Sequence, residues 1–216
     1  MVKKYILKPS FEAHKKYKIN YEKELTEEQF PIVTASSGPI LVIAGAGSGK
    51  TRTITYRVAY LVESGIPLDR ILLVTFTNKA AKEMLHRVEI LLGQSMQGLW
   101  GGTFHHIGNL ILRKHAKLLG YKSNYTILDR VDSKDLIETS LLEGGIDTKA
   151  RRFPKGDVLS DIISYAVNTN ESLDRVVQLK YPYFEEISHD IQRVADLYKN
   201  RKLKQNLMDF DDLLYN

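Results

Sequence analysis

A chain of 216 residues, 43% of them hydrophobic, can bury a substantial core and fits one or two domains. Its net charge of +5 suits a polyanionic partner without proving one, since many basic faces are only solvated. The absence of cysteine excludes disulfides, cysteine-ligated zinc, iron–sulfur clusters and thiol catalysis, and it fits an intracellular, cytoplasmic setting. The N-terminal MVKKYILKPS is too short in apolar residues for a signal peptide, and no run approaches the roughly 18 apolar residues of a membrane span. Residues 1–24, rich in lysine and tyrosine, read as an irregular lead-in. Leu25-Thr26-Glu27-Glu28-Gln29 then starts a helix, with Thr26 and Gln29 spaced as a capping box. Pro31 removes an early backbone hydrogen bond and predicts that this helix is short or distorted.

The apolar run PILVI at 39–43 predicts a buried parallel strand. It leads into AGAGSGKT at 44–51, a phosphate-binding loop of the form [AG]-x-x-x-x-G-K-[ST]. Triphosphate oxygens must meet backbone N–H groups at close range, so side chains have to be absent, and glycine also permits the dihedrals of the turn. Gly49 opens a helix whose free N–H groups and dipole favour an anion. Lys50 can reach the β- and γ-phosphates, and the Thr51 hydroxyl can coordinate Mg²⁺. Ile54, Val58, Leu61 and Val62 recur at helical spacing before a stop at Gly65. Strand, loop and helix together point to a nucleoside triphosphate site.

A second buried-strand candidate, Ile71-Leu72-Leu73-Val74, runs into Thr75-Phe76-Thr77-Asn78. Ala81, Met84, Val88 and Leu91 mark the next helix, closed by Gly93. This β-α-β order argues for a parallel α/β sheet with ligands beyond the carboxyl ends of its strands. Leu99-Trp100-Gly101-Gly102-Thr103 is a weaker strand because of its glycines. Phe104, His105 and His106 follow, and Ile107, Leu110, Ile111 and Leu118 form one face of a helix that Gly120 ends. From about Tyr121 strand-like runs nearly vanish. Tyr125-Thr126-Ile127-Leu128 is the last, and helical patterns then occupy about 121–206.

Several motifs stand in a fixed order: LTEEQ at 25–29, AGAGSGKT at 44–51, TFTNKAAKEM at 75–84, GTFHHIGNLILR at 102–113 and DFDDLL at 209–214. Together they resemble the N-terminal part of a UvrD/Rep-type superfamily 1 DNA helicase, over about 25–135 and the last few residues. LGYKSNYTILD at 119–129 resembles that family's entry to its helical insertion, subdomain 1B. The resemblance implies an α/β fold: a RecA-like parallel sheet with helices on both faces (1–120), a mostly α-helical insertion (121–206) and a return segment (207–216). It implies hydrolysis of ATP with Mg²⁺ and movement along single-stranded DNA, 3′ to 5′, towards a single-strand/duplex junction.

Carried over residue by residue, the nucleotide site comprises Gln29 with Ala44, Gly45, Ala46, Gly47, Ser48, Gly49, Lys50, Thr51 and Arg52. Lys50 and Thr51 are its catalytic members. Gln29 matches the glutamine that reads adenine, and a carboxamide can donate to and accept from the adenine edge at once. The alternative is that its side chain only returns to the helix start. Thr75, Phe76, Thr77, Asn78 and Lys79 match a single-strand-contacting motif, with Phe76 as the stacking residue or else a core phenylalanine, and Lys79 as a phosphate contact or a solvated lysine. Thr103, Phe104 and His105 match a second such motif. Packing is the favoured role of Phe104, and adjacent histidines with no further ligands do not make a metal site. Lys149, Arg151, Arg152 and Lys155 form a basic stretch that faces duplex phosphates or solvent with equal weight.

Asp211 and Asp212 tempt a Walker B reading, but Leu203-Lys204-Gln205-Asn206 before them are wrong for the buried strand that ends in a Walker B aspartate. The sequence is therefore expected to be a fragment without the Walker B carboxylates and second motor domain, which binds ATP with little turnover. Another P-loop ATPase and a non-catalytic nucleotide- or DNA-binding module are the rival readings.

Overall fold

The computed structural model describes residues 17–36, 38–146 and 153–216. By packing, the chain divides into two compact units, Met1–Thr103 and Phe104–Asn216. This partition differs from the expected 1–120, 121–206 and 207–216.

The first unit runs through α1 (Tyr21–Glu24), α2 (Gln29–Thr34), α3 (Lys50–Glu63), β1 (Leu72–Thr75), α4 (Asn78–Leu92) and β2 (Trp100–Thr103). The six-residue α2 is as short as Pro31 demands. Thr77 starts α4 by accepting from Ala80 N, and Gly93 ends it in the left-handed region at φ +65°. Strands β1 and β2 pair in parallel, Leu72 opposite Trp100 and Thr75 opposite Thr103, with α4 as the crossover. The strand glycines have a packing purpose: a Cβ on Gly101 would stand 2.8 Å from Leu85 Cδ1, so α4 lies directly on β2. Val33, Ala59 and Val88 form the fully buried centre, joined by Val58, Ile71, Leu73 and Met84.

Three expectations need correction here. The end of the lead-in is not irregular: Ile19, Tyr21 and Leu25 are core residues, because a tyrosine cluster and Glu63 hold this segment on α3. The run at 39–43 is not a strand, and Leu41 and Ile43 are 87% and 92% exposed. A strand exists by pairing its backbone, and among the described residues β1 pairs only with β2, which leaves 39–43 no ladder to join. Ile40 and Val42 instead border a cleft of about 810 Å³ whose other wall includes Ile54, Val58, Leu61, Ile71 and Leu73. That cleft also explains why α3 buries Thr55, Tyr56 and Ala59 while Ile54 stays exposed. The wide parallel sheet expected is thus represented by one βαβ unit.

The second unit contains α5 (Phe104–His115), β3 (Thr126–Ile127), α6 (Arg130–Glu143), α7 (Gly156–Thr169), α8 (Leu173–Lys180), α9 (Ser188–Gln205), β4 (Leu207–Met208) and α10 (Asp212–Tyr215). Ile137, Leu159, Ile162, Val176, Ile191 and Val194 centre a helical core. A smaller cluster gathers Leu112, Ala116, Tyr125, Met208 and Leu213. Helix α5 therefore buries Ile107 and Leu112 rather than Leu110, Ile111 and Leu118, which stay exposed. Asn206 turns out of α9 at φ +58° into β4, which pairs in parallel with β3. No helix among the described residues is long and apolar enough to cross a membrane.

Candidate nucleotide site and strand-contacting edge

The phosphate-binding loop sits where a helix begins. Gly49 is the left-handed N-cap of α3 at φ +81°, and Gly47 has φ +80°. Both need glycine. A Cβ on Gly49 would also stand 2.6 Å from Gln29 Nε2. Around Gly45 and Gly47, by contrast, the Cβ position is open space, so a ligand can come close to the backbone. Lys50 Nζ donates to Gly45 O at 2.6 Å and Ala44 O at 3.2 Å, and the Ser48 hydroxyl donates to Gly45 O at 2.8 Å. The ammonium therefore lies inside the curve of the loop. Thr51 follows it, half-buried in the first turn of α3, and Ala46 is exposed at the loop's turn. An open glycine cradle, a helix N-terminus and a cation in the concavity fit a polyphosphate, and the adjacent threonine hydroxyl suits a hard cation such as Mg²⁺.

Gln29 closes the capping box and also reaches the loop. Its Oε1 accepts from Thr26 N at 3.4 Å and its backbone N–H donates to Thr26 Oγ1 at 3.3 Å, which closes the capping box. Its Nε2 donates to Ser48 O at 3.2 Å, which brings the buried side chain onto the loop. Arg52 is held by the segment before α2: Nη2 donates to Glu24 O at 2.7 Å, and its Cζ lies 4.6 Å from the Tyr56 ring centre.

Sequence reasoning missed the residues behind Arg52. Tyr56 donates to Glu24 Oε2, and burial together with that bond pushes its hydroxyl up to about 12, against the pull of Arg52. Tyr21 donates to Glu63 Oε2 at 2.6 Å, and burial and that carboxylate push its hydroxyl above the usual range. Tyr17 stacks on Tyr60 at 5.1 Å. A signal was present for one pair: Tyr56 and Tyr60 stand at i, i+4 and share a face of α3, whereas Tyr17 lies before α1.

The residues matched to strand contact lie at the carboxyl ends of β1 and β2. Thr75 and Thr103 are ladder partners there. Phe76, just beyond β1, is 89% exposed, so it is no core phenylalanine. Thr77 is committed as the cap of α4, while Asn78 and Lys79 are exposed in its first turn. Phe104 and His105 open α5 in the second unit. Phe104 is 46% exposed, so its ring is about half covered, and His105 makes an edge-on contact with Phe210 at 5.4 Å. Lys149, Arg151 and Arg152 lie outside the described residues.

The carboxylates of DFDDLL are engaged elsewhere. Buried Lys202 donates to Asp209 Oδ2 at 2.5 Å and Asp212 Oδ2 at 2.6 Å, and Tyr198 donates to Asp209 Oδ2 at 2.7 Å. Each aspartate also accepts the other's backbone N–H at 2.9 Å. Burial raises both carboxyls. At Asp209 the Lys202 charge and hydrogen bonds outweigh it and hold the group low, whereas at Asp212 the Asp209 charge adds to burial and pushes the group up. Asp211 Oδ1 accepts from Asn168 Nδ2 at 2.8 Å.

Residues 25–216 match the UvrD/REP helicase N-terminal domain. The chain is 40% identical over 198 residues to the ATP-dependent DNA helicase PcrA of Staphylococcus epidermidis, covering 89% of this chain and 26% of that protein. It is 38% identical over 191 residues to PcrA of Bacillus subtilis, with 88% and 25% covered. PcrA of Staphylococcus aureus is 37% identical over 194 residues, with 88% and 25% covered. The chain thus spans about a quarter of the length of the curated relatives it matches.

Proposed function

Because this chain belongs to the UvrD/REP helicase family, we propose that it is the ATP-binding part of an ATP-dependent DNA helicase that moves 3′ to 5′ along single-stranded DNA. The open glycine cradle at the start of α3, with Lys50 inside it, carries the reading. In this reading the loop N–H groups and Lys50 hold the phosphates, the Thr51 hydroxyl holds Mg²⁺, and Gln29 and Arg52 meet the adenine. Bound Mg·ATP supplies the phosphoanhydride whose cleavage drives movement. Phe76 stacks on a base beside Thr75, Asn78, Lys79 and Thr103, with Phe104 and His105 as further contacts. Residues 121–206 act as the helical insertion facing the junction.

Turnover by the 216 residues alone is negligible in this proposal. Hydrolysis needs a positioned water, a metal held from two sides and cationic help in the transition state. The carboxylates Asp209, Asp211 and Asp212 are bound to Lys202 and Asn168 instead.

The test is calorimetric titration of residues 1–216 and Lys50→Ala with Mg·ATP, followed by a fluorescent oligo-dT titration of both and of Phe76→Ala. Lys50→Ala should abolish ATP binding with an unchanged melting temperature. Phe76→Ala should weaken DNA binding by about 1–3 kcal/mol. Equal ATP affinity in Lys50→Ala would remove the nucleotide site, and equal DNA affinity in Phe76→Ala would remove the stacking role.

A further inference from the structure

The segment before the first motif lies along the same helix that opens with the phosphate-binding loop. Its contacts climb α3 from the far end towards the loop. Lys18 N and the Tyr21 hydroxyl share the Glu63 carboxylate, each at 2.6 Å. Lys18 Nζ also donates to Leu92 O at 2.9 Å, tying the segment to the end of α4. One helical turn nearer the loop, the Tyr60 ring is stacked by Tyr17 and met edge-on by Tyr21 at 5.4 Å. Nearer still, the Tyr56 hydroxyl donates to the Glu24 carboxylate, and the Glu24 carbonyl accepts from Arg52 at 2.7 Å. The chain then passes directly to Thr26 and Gln29, whose amide reaches Ser48 of the loop.

Four α3 side chains, at 52, 56, 60 and 63, thus hold one strip of chain by one face of the helix. At its upper end the strip runs into the Gln29 amide beside Gly49 and holds the guanidinium of Arg52, whose Cβ is near the same glycine, on the Glu24 carbonyl. The Gln29 amide is close enough to clash with a Cβ there, and Arg52 Cβ would be 3.9 Å from the same point. Lys50, by contrast, points into the curve of the loop. The fixed pair therefore stands at the flank of the loop and the ammonium inside it, a division suited to a nucleotide with its phosphates in the cradle and its base at the side.

We infer that residues 17–25, acting through the Glu24 carbonyl and together with the Tyr56 ring, form a clasp that positions Arg52 and Gln29 to discriminate the nucleotide base. Glu24 and Tyr56 are positioning residues: they touch Arg52, not the ligand. A long guanidinium loses rotamer freedom when it binds, and a carbonyl and an aromatic ring that hold it beforehand remove part of that cost. The inference rests on the nucleotide-site reading above, and the two can fail separately.

The experiment compares wild type, Tyr56→Phe, Tyr56→Leu and Glu24→Gln by competition of ATP, GTP and inorganic tripolyphosphate, with melting temperature recorded for each. Tyr56→Phe keeps the ring under Arg52 and loses only the bond to Glu24. It should keep its ATP:GTP ratio within about twofold. Tyr56→Leu removes the ring as well and should lower the ratio roughly 3- to 10-fold, the scale of one interaction lost at the base. Tripolyphosphate affinity should be unchanged in all four. If Tyr56→Leu does not fold, Glu24→Pro carries the same prediction, because its altered backbone moves the carbonyl that holds Arg52. Melting temperatures that fall while the ATP:GTP ratio stays at the wild-type value would overturn the clasp and leave a purely structural staple. Wild-type protein that binds neither ATP nor tripolyphosphate would instead overturn the nucleotide site itself.

Discussion

Lys202 shows how much a single buried charge can hold in place. One ammonium bridges two adjacent carboxylates, so its removal leaves Asp209 and Asp212 repelling each other with no counter-charge in a site away from water. Lys202→Met should cost about 3–5 kcal/mol at pH 7, the scale for breaking a buried pair. The sign with pH follows from the two aspartates. Asp209, held low in the folded protein, contributes stability above its unfolded value near 4, which is lost as pH falls through its folded value. Asp212, held high, is penalised as pH rises from about 4 through its folded value. Without Lys202 both carboxyls are penalised when ionised, so the deficit of Lys202→Met should shrink as pH drops below about 4. Urea denaturation at pH 7 and pH 3.5 measures this, and an equal deficit at both would show that lost packing, not charge, is the cause. None of this was legible in DFDDLL, because a lysine seven residues upstream has no fixed spacing to an aspartate across a helix end. The rejection of Asp211-Asp212 as a metal pair rested on the polar residues before them, and the geometry gives both aspartates other partners. The loop glycines were legible for the opposite reason: dihedrals near φ +80° admit few residues other than glycine.

At the scale of elements, helix boundaries followed the punctuation of the sequence. Gly93 and Gly120 close their helices in the left-handed region. Buried faces were less legible. In α3 and α5 the apolar spacing pointed to Ile54, Leu110 and Ile111, yet Thr53, Thr55, Tyr56 and Leu112 are buried there. Periodicity reports which face could be buried, while the partners available decide which one is. Gly108 is a case in which the partner is backbone. A Cβ there would lie 2.2 Å from Leu213 O, so α10 crosses α5 at a contact only glycine allows. No rotamer change relieves a clash with a carbonyl, and Gly108→Ala should separate the two helices. The expected loss is about 1–3 kcal/mol by thermal unfolding, the range for overpacking, although alanine alone would favour a helix interior. A Gly108→Ala protein as stable as wild type would place α10 farther from α5.

At the scale of the whole molecule, the apolar run at 39–43 is the largest departure from the sequence reading, and it carries a consequence for solution behaviour. The residues have strand character and lead straight into the loop, but Leu41 and Ile43 face solvent beside the cleft that separates them from β1. One edge of β1 is paired to β2, and among the described residues no strand covers the other. An apolar run and an open strand edge on one face form a template for added strands. A strand added at that edge would bury 39–43 against the sheet. The prediction compares Leu41→Lys/Ile43→Lys in two lengths of chain. In residues 1–216 the double substitution touches exposed side chains, so it should leave the melting temperature within about 1 °C while reducing self-association in sedimentation velocity. In a chain extended to the relatives' length the same lysines would be buried without partners, and the melting temperature should fall by several degrees. A drop of equal size in both lengths would mean that 39–43 is already buried in the shorter chain. No drop in either would mean that the run stays outside the sheet in the longer one, and that the phosphate-binding loop is not carried by a strand.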